Sequence, residues 1–159
     1  MNKKIIFILA TLGLVVIGGT MLVVRGNYFS PPLSGSDSIN METIERGTHS
    51  GITEKINYVI KNEDNWSKLW VNIHSGVLIE PPPLPQIDFR NYSVIAVFMG
   101  EKPTGGYRID INKIVDQEDK LVVYIKEYTP KPDTMVTQVL TQPYHIVQVE
   151  RVIKEVIFN

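Results

Sequence analysis

The residues with the widest chemical scope are the histidines His49, His74 and His145 and the seventeen Asp and Glu side chains. A helical metal site needs two histidines four apart on one face. No pair here has that spacing, and each histidine falls in a different predicted element. The carboxylates scatter over turns and strand ends, so no pair is singled out for acid–base work. There is no G-x-S-x-G nucleophile elbow and no glycine loop of the phosphate-cradling kind. The chain has no cysteine. That excludes a disulfide scaffold, a thiol nucleophile, an iron–sulfur cluster, thiolate zinc and a lipid anchor on cysteine. The expectation is therefore a protein that is not an enzyme. No catalytic residue, metal ligand, cofactor or small-molecule substrate is indicated.

What remains are two loop motifs suited to contact with another molecule. The first is Gly100-Glu101-Lys102-Pro103-Thr104-Gly105-Gly106-Tyr107. Pro103 fixes its own φ, and the paired glycines allow positive φ and close backbone approach. Thr104, Gly105 and Gly106 would present amides and a hydroxyl, with Tyr107 as an aromatic anchor. The bland alternative is a hairpin turn, although eight residues exceed what a tight hairpin needs. The second motif is Thr141-Gln142-Pro143-Tyr144, where proline in a strand-like run marks a bulge or an edge.

These motifs must be held by the elements around them. Ile52 to Ile60 alternates Ile52, Ile56, Tyr58 and Ile60 against Thr53, Lys55 and Asn57, the pattern of a half-buried strand. Trp66, Leu69, Trp70 and Ile73 then form one helical stripe. Asn62 is placed to cap that helix and Gly76 to end it. The tryptophans are expected in the core. Glu80 to Pro85 carries four prolines and must run as an extended connection. Ser93 to Met99 is uniformly apolar and short, so it reads as a central strand buried on both faces. Tyr107 to Asn112 and Leu121 to Tyr128 alternate as strands about a polar turn at Asp116–Asp119. Met135 to Leu140 and His145 to Val149 are two more expected strands. Val149 to Phe158 fits a helical stripe but is rich in β-branched residues, which favour strand. The predicted fold is mainly β (α+β): an antiparallel β-sandwich or barrel with one covering helix. In a run of antiparallel strands, alternate loops share an end, so Lys102–Gly106 and Thr129–Thr134 should lie together.

Upstream, Ile5 to Val24 contains no charge, and as a helix it would span about 30 Å, the thickness of a bilayer core. Lys3 and Lys4 precede it, so its N-terminal side should stay cytoplasmic. An uncleaved anchor over residues 1–25 is favoured over a cleaved signal peptide, because the run is long and no A-x-A follows. Eight of the fifteen residues of Gly26–Asn40 are Gly, Pro or Ser, the composition of a flexible tether. Residues 41–159 would then form an extracytoplasmic domain on a single-pass cell-membrane protein. Setting aside Lys3, Lys4 and Arg25, thirteen Lys and Arg face seventeen Asp and Glu, a net −4. Such a balance offers no footprint for nucleic acid.

Val94 to Gly100, Lys102-Pro103-Thr104-Gly105-Gly106-Tyr107, Thr129-Pro130 and Thr141-Gln142-Pro143-Tyr144, in that order, resemble the PrcB C-terminal domain family. The family takes its name from a subunit of a bacterial surface protease complex. The similarity covers about Val94 to Val149, and the helix with Trp66 and Trp70 and the Ile87-Asp88-Phe89 lead-in also resemble it. The resemblance implies an exported, non-catalytic protein that assists assembly or stability of a protease partner. Some members are lipoproteins; without a cysteine, tethering here falls to residues 5–24. A second similarity is to chagasin-type cysteine protease inhibitors. Pro103–Tyr107 is similar to their Asn-Pro-Thr-Thr-Gly-Tyr loop and Gln142–Tyr144 to their Arg-Pro-Trp loop. This sequence departs from that pattern at Lys102, the second glycine, Gln142 and Tyr144, and lacks the glycine-rich middle loop.

Overall fold

The computed structural model describes residues 37–77 and 79–159. The expected membrane segment, 5–24, and residues 26–36 of the expected tether lie outside the described residues. Among the described residues no helix is long and apolar enough to cross a membrane.

Among the described residues, eight strands and one helix follow in the order β1 (Asp37–Ile39), β2 (Met41–Gly47), β3 (Lys55–Ile60), α1 (Glu63–His74), β4 (Tyr92–Met99), β5 (Arg108–Asp116), β6 (Lys120–Tyr128), β7 (Tyr144–Glu150) and β8 (Glu155–Phe158). They form two four-stranded sheets, ordered β1-β5-β6-β8 and β2-β7-β4-β3. Each sheet keeps its own edges, so the architecture is a sandwich rather than a closed barrel. Helix α1 lies on the outer face of the second sheet, giving three layers.

The middle position of the second sheet explains the uniform apolarity of β4. Ile95, Val97 and Met99 join Ile109, Ile111, Ile114, Leu121, Val123, Val147 and Val149 between the sheets. Val94, Ala96 and Phe98 point the other way, into a second core with Trp66, Leu69, Trp70, Ile73, Tyr144 and Ile146. Alternate side chains thus serve two different cores, and neither face can be polar.

The helix forms as its sequence dictates. The Asn62 side chain accepts from the Asn65 N–H at 2.9 Å, Glu63 and Asp64 occupy the first turn, and Gly76 takes φ +72° after the last. Both tryptophans are buried core, and each indole N–H reaches the proline run. Trp66 donates to the Pro85 carbonyl at 2.9 Å and Trp70 to the Pro82 carbonyl at 2.8 Å. The indoles therefore fix the connection that returns the chain to β4.

Four expectations need correction. Asp37–Ile39, placed in the tether, pairs with β5 as a short edge strand. β4 and β5 belong to different sheets, so Gly100–Tyr107 is an arch between layers rather than a hairpin. Met135–Leu140 is loop; its apolar residues fall on both parities, so no single sheet face could bury them. The terminal stretch is strand, as its β-branched residues favour, but in two elements: β7 ends at Glu150, and after a break β8 pairs parallel with β6, an exception to the antiparallel rule elsewhere.

Candidate functional site

Three connections meet at one end of the sandwich: the segment after β2 from Thr48, the β4–β5 arch, and the long β6–β7 loop. Lys102 and Thr141 form an isolated antiparallel bridge, exchanging N–H···O bonds of 2.7 and 3.0 Å. The Thr141 hydroxyl donates to the Thr104 carbonyl at 2.8 Å, and the Gly105 N–H donates to the Thr137 carbonyl at 2.9 Å. The Gln142 N–H donates to the Thr48 carbonyl at 2.8 Å, and the Glu101 N–H to the Thr53 carbonyl at 2.9 Å. The predicted meeting of the 102–106 and 129–134 loops is present, and Thr141–Tyr144 joins them.

Gly106 shows why this clasp demands glycine. Its φ is +86°, and a Cβ there would lie 3.0 Å from both Pro130 Cβ and Val136 Cγ1. Backbone conformation and space exclude a side chain together.

The eight residues expected to bind a partner divide into two groups. Thr104 and Gly105 are half-buried, Gly106 is exposed, and Gln142 is half-buried at the rim, where its amide donates to Glu101 at 3.1 Å. Tyr107 is half-buried and packs its ring against the inter-sheet core. Thr141 is 2% exposed, Pro143 is fully buried, and Tyr144 is 4% exposed. The Tyr144 ring stacks on Phe98 at 5.9 Å in the helix-side core. Burial first, and then the charge of Glu45, push its hydroxyl above the ordinary tyrosine range. Pro143 and Tyr144 are therefore core residues that close the sheet beneath the loops. Their burial removes one of the two loops that the inhibitor similarity needs.

The loop between β6 and β7 carries apolar side chains at the surface beside this clasp. Met135 is 98% exposed, and Val139 and Leu140 are also exposed. They project from a loop that Gly105, Lys102 and Thr104 pin from below. Val136, between them, tucks against Gly106. Apolar side chains on a braced surface loop are a usual feature of protein contact sites.

The histidines serve the fold. His145 is 3% exposed and lies between the sheets. A bulge at Ile111/Lys113 in β5 disturbs the ladder, and the Ile111 N–H donates to His145 Nδ1 at 2.9 Å. Nε2 must then carry the proton, and it donates to the Thr43 hydroxyl at 3.0 Å. His74 holds the end of α1: its Nδ1 donates to the Trp70 carbonyl at 2.9 Å and its Nε2 faces Glu45 Oε1 at 3.3 Å. His49 has its neighbour Thr48 as partner. No group of three His, Asp or Glu side chains suited to a metal ion occurs among the described residues.

No curated protein and no solved structure matches the chain. Residues 93–150, from the start of the buried strand through the arch and the braced loop to the end of β7, match the family described as PrcB C-terminal, as the motifs in that segment led one to expect.

Proposed function

We propose that this chain is a non-catalytic, membrane-anchored extracytoplasmic module that binds another protein and assists the assembly or stability of an exported protease or envelope complex. The observation that carries the reading is the braced loop end, where Met135, Val139 and Leu140 stand exposed on a loop fixed by the Lys102–Thr141 bridge. A rigid loop loses little conformational freedom on binding, and exposed apolar side chains gain from being covered. The PrcB C-terminal match over 93–150 includes both the arch and this loop, and supports a protease-associated partner. Thr104, Gly105, Gly106 and Gln142 would form the polar rim of the contact. Thr141, Pro143 and Tyr144 would act from beneath by holding it in shape.

The test is capture of partners by crosslinking with the full chain in its native membrane, beside a Met135→Glu/Leu140→Glu variant. Both positions are exposed, so the stability of the variant should stay within about 0.5 kcal/mol of the parent. An exported protease or envelope protein recovered by the parent and lost by the variant supports the reading. Equal recovery by both overturns the assignment of this surface.

A further inference from the structure

The four sheet edges are not equally protected. β1 has three residues and β8 four. β2 has seven, but a register shift at Thr43/Glu45 breaks its ladder, and Glu42, Glu45 and Arg46 charge it. Short length, bulges and charge are the ordinary devices that stop edges from pairing. β3 has none of them except Lys55: it is six residues long and keeps unbroken register with β4 from Lys55↔Met99 to Ile60↔Val94.

The direction of its free backbone groups follows from β4. The Met99 N–H is bonded to the Pro143 carbonyl, on the β7 side. Val97 and Ile95 share that direction, so Phe98, Ala96 and Val94 turn their groups to β3, opposite Ile56, Tyr58 and Ile60. The N–H and C=O of Lys55, Asn57 and Val59 therefore point outward. No described residue bonds to them. Beside this edge, on the helix side, runs a groove of about 290 Å³ lined by Ile52, Ile56, Tyr58, Asn72 and Ser75.

We infer that β3 pairs antiparallel with β3 of a second copy of this chain, about a two-fold axis through Asn57. That register sets Asn57 opposite Asn57 and Lys55 opposite Val59, the residues whose backbone groups point outward. It sets Ile56 opposite Tyr58 twice, an aliphatic–aromatic pair of the kind that stabilises cross-strand neighbours, and opposes no like charges within β3. Each Tyr58, which packs edge-on against its own Phe98 at 5.9 Å, then lies beside Ile56 of the other copy at the rim of the groove. The pairing is isologous and closes at two, joining the two second sheets into one of eight strands. The inference is independent of the loop surface proposed above.

The chain has no cysteine, so one introduced at the axis gives an unambiguous readout. Directly opposed residues of this type have Cα atoms about 5.5 Å apart, inside the range a disulfide spans. The full chain in detergent solution carrying Asn57→Cys is oxidised beside Glu42→Cys, a control on the β2 edge. Folding of each is checked by the emission of the buried tryptophans. The expected result is a disulfide-linked dimer from Asn57→Cys, formed about tenfold or more faster than from Glu42→Cys. Asn57→Pro removes both hydrogen bonds of the central pair without touching the β4 ladder, and should weaken self-association in sedimentation by about tenfold or more. Equal crosslinking at the two positions overturns the inference, as does a parent that sediments as a monomer throughout. A monomer that captures another protein, and loses it only on Asn57→Pro, replaces the second copy with a foreign strand.

Discussion

Replacing His145 by alanine tests whether the sandwich depends on an imidazole that bridges its two sheets. The side chain is 3% exposed, accepts from the Ile111 N–H at 2.9 Å and donates to the Thr43 hydroxyl at 3.0 Å. Truncation leaves a buried amide without a partner, which costs about 1–3 kcal/mol. The void left by the ring adds about 1–2 kcal/mol, since the surrounding β-branched residues collapse only partly. A loss of about 3 kcal/mol is expected, and with it a fall of roughly 10 °C in Tm for a domain of this size. Urea unfolding followed through Trp66 and Trp70 measures it. His145→Gln keeps an acceptor in reach of Ile111 and should recover part of the loss. The pH dependence is a second readout. Burial, and next the charge of Arg46, hold the imidazole below its ordinary value of 6.5, with Asp110 acting in the opposite direction. The unfolded chain then binds the proton more readily than the folded one. The contribution of His145 is complete above pH 6.5 and is lost as the pH falls from there toward the folded value. The parent should lose stability on acidification through this window more steeply than His145→Ala. A loss under about 1 kcal/mol, or parallel profiles for the two proteins, would refute the bridge.

Gly106→Ala places a Cβ at 3.0 Å from Pro130 and Val136 on a backbone at φ +86°, whereas Gly76→Ala, at φ +72°, meets nothing within 4 Å. The first should cost about 1 kcal/mol more than the second in urea unfolding, because only it adds a clash to the backbone strain. Trp70→Phe removes the indole N–H from the Pro82 carbonyl and leaves a small void beside Trp66 and His74, so about 2–3 kcal/mol should be lost and limited proteolysis should cut faster within residues 79–91. Asn62→Ala removes the cap on the Asn65 N–H and should cost about 1 kcal/mol, with loss of helical circular dichroism at partial denaturation.

Much of the fold was legible because local pattern and tertiary demand agree. The Trp66–Ile73 stripe, its Asn62 cap and its Gly76 stop are local signals, and the helix needs only one face buried. The uninterrupted apolar run of β4 announced a layer with a core on each side. Sheet membership was not legible. Nothing in Gly100–Tyr107 says whether the chain turns back onto its neighbour or crosses to the other sheet, since the same glycines and proline serve both. The parallel pairing of β8 depends in part on Lys154 reaching Asp116 and on the Val152 N–H reaching Ser93, contacts between residues far apart in sequence.

The candidate site was half legible, and parity shows where the line falls. Proline followed by an aromatic reads equally well as a contact loop and as a buried corner. Tyr144, however, shares its parity with Ile146, and Ile146 with the residues that pack on α1. Once β7 is known to begin at Tyr144, the alternation that puts His145, Val147 and Val149 between the sheets commits Tyr144 to the helix side. Met135–Leu140 shows the converse: an apolar stretch that forms no strand. There Met135 and Val139 stand on one parity and Val136 and Leu140 on the other, and both possible faces of the second sheet are already occupied. An apolar segment that matches neither period and has no open face to fill is left at the surface, which is why Met135, Val139 and Leu140 stand exposed while the proline–aromatic motif is buried.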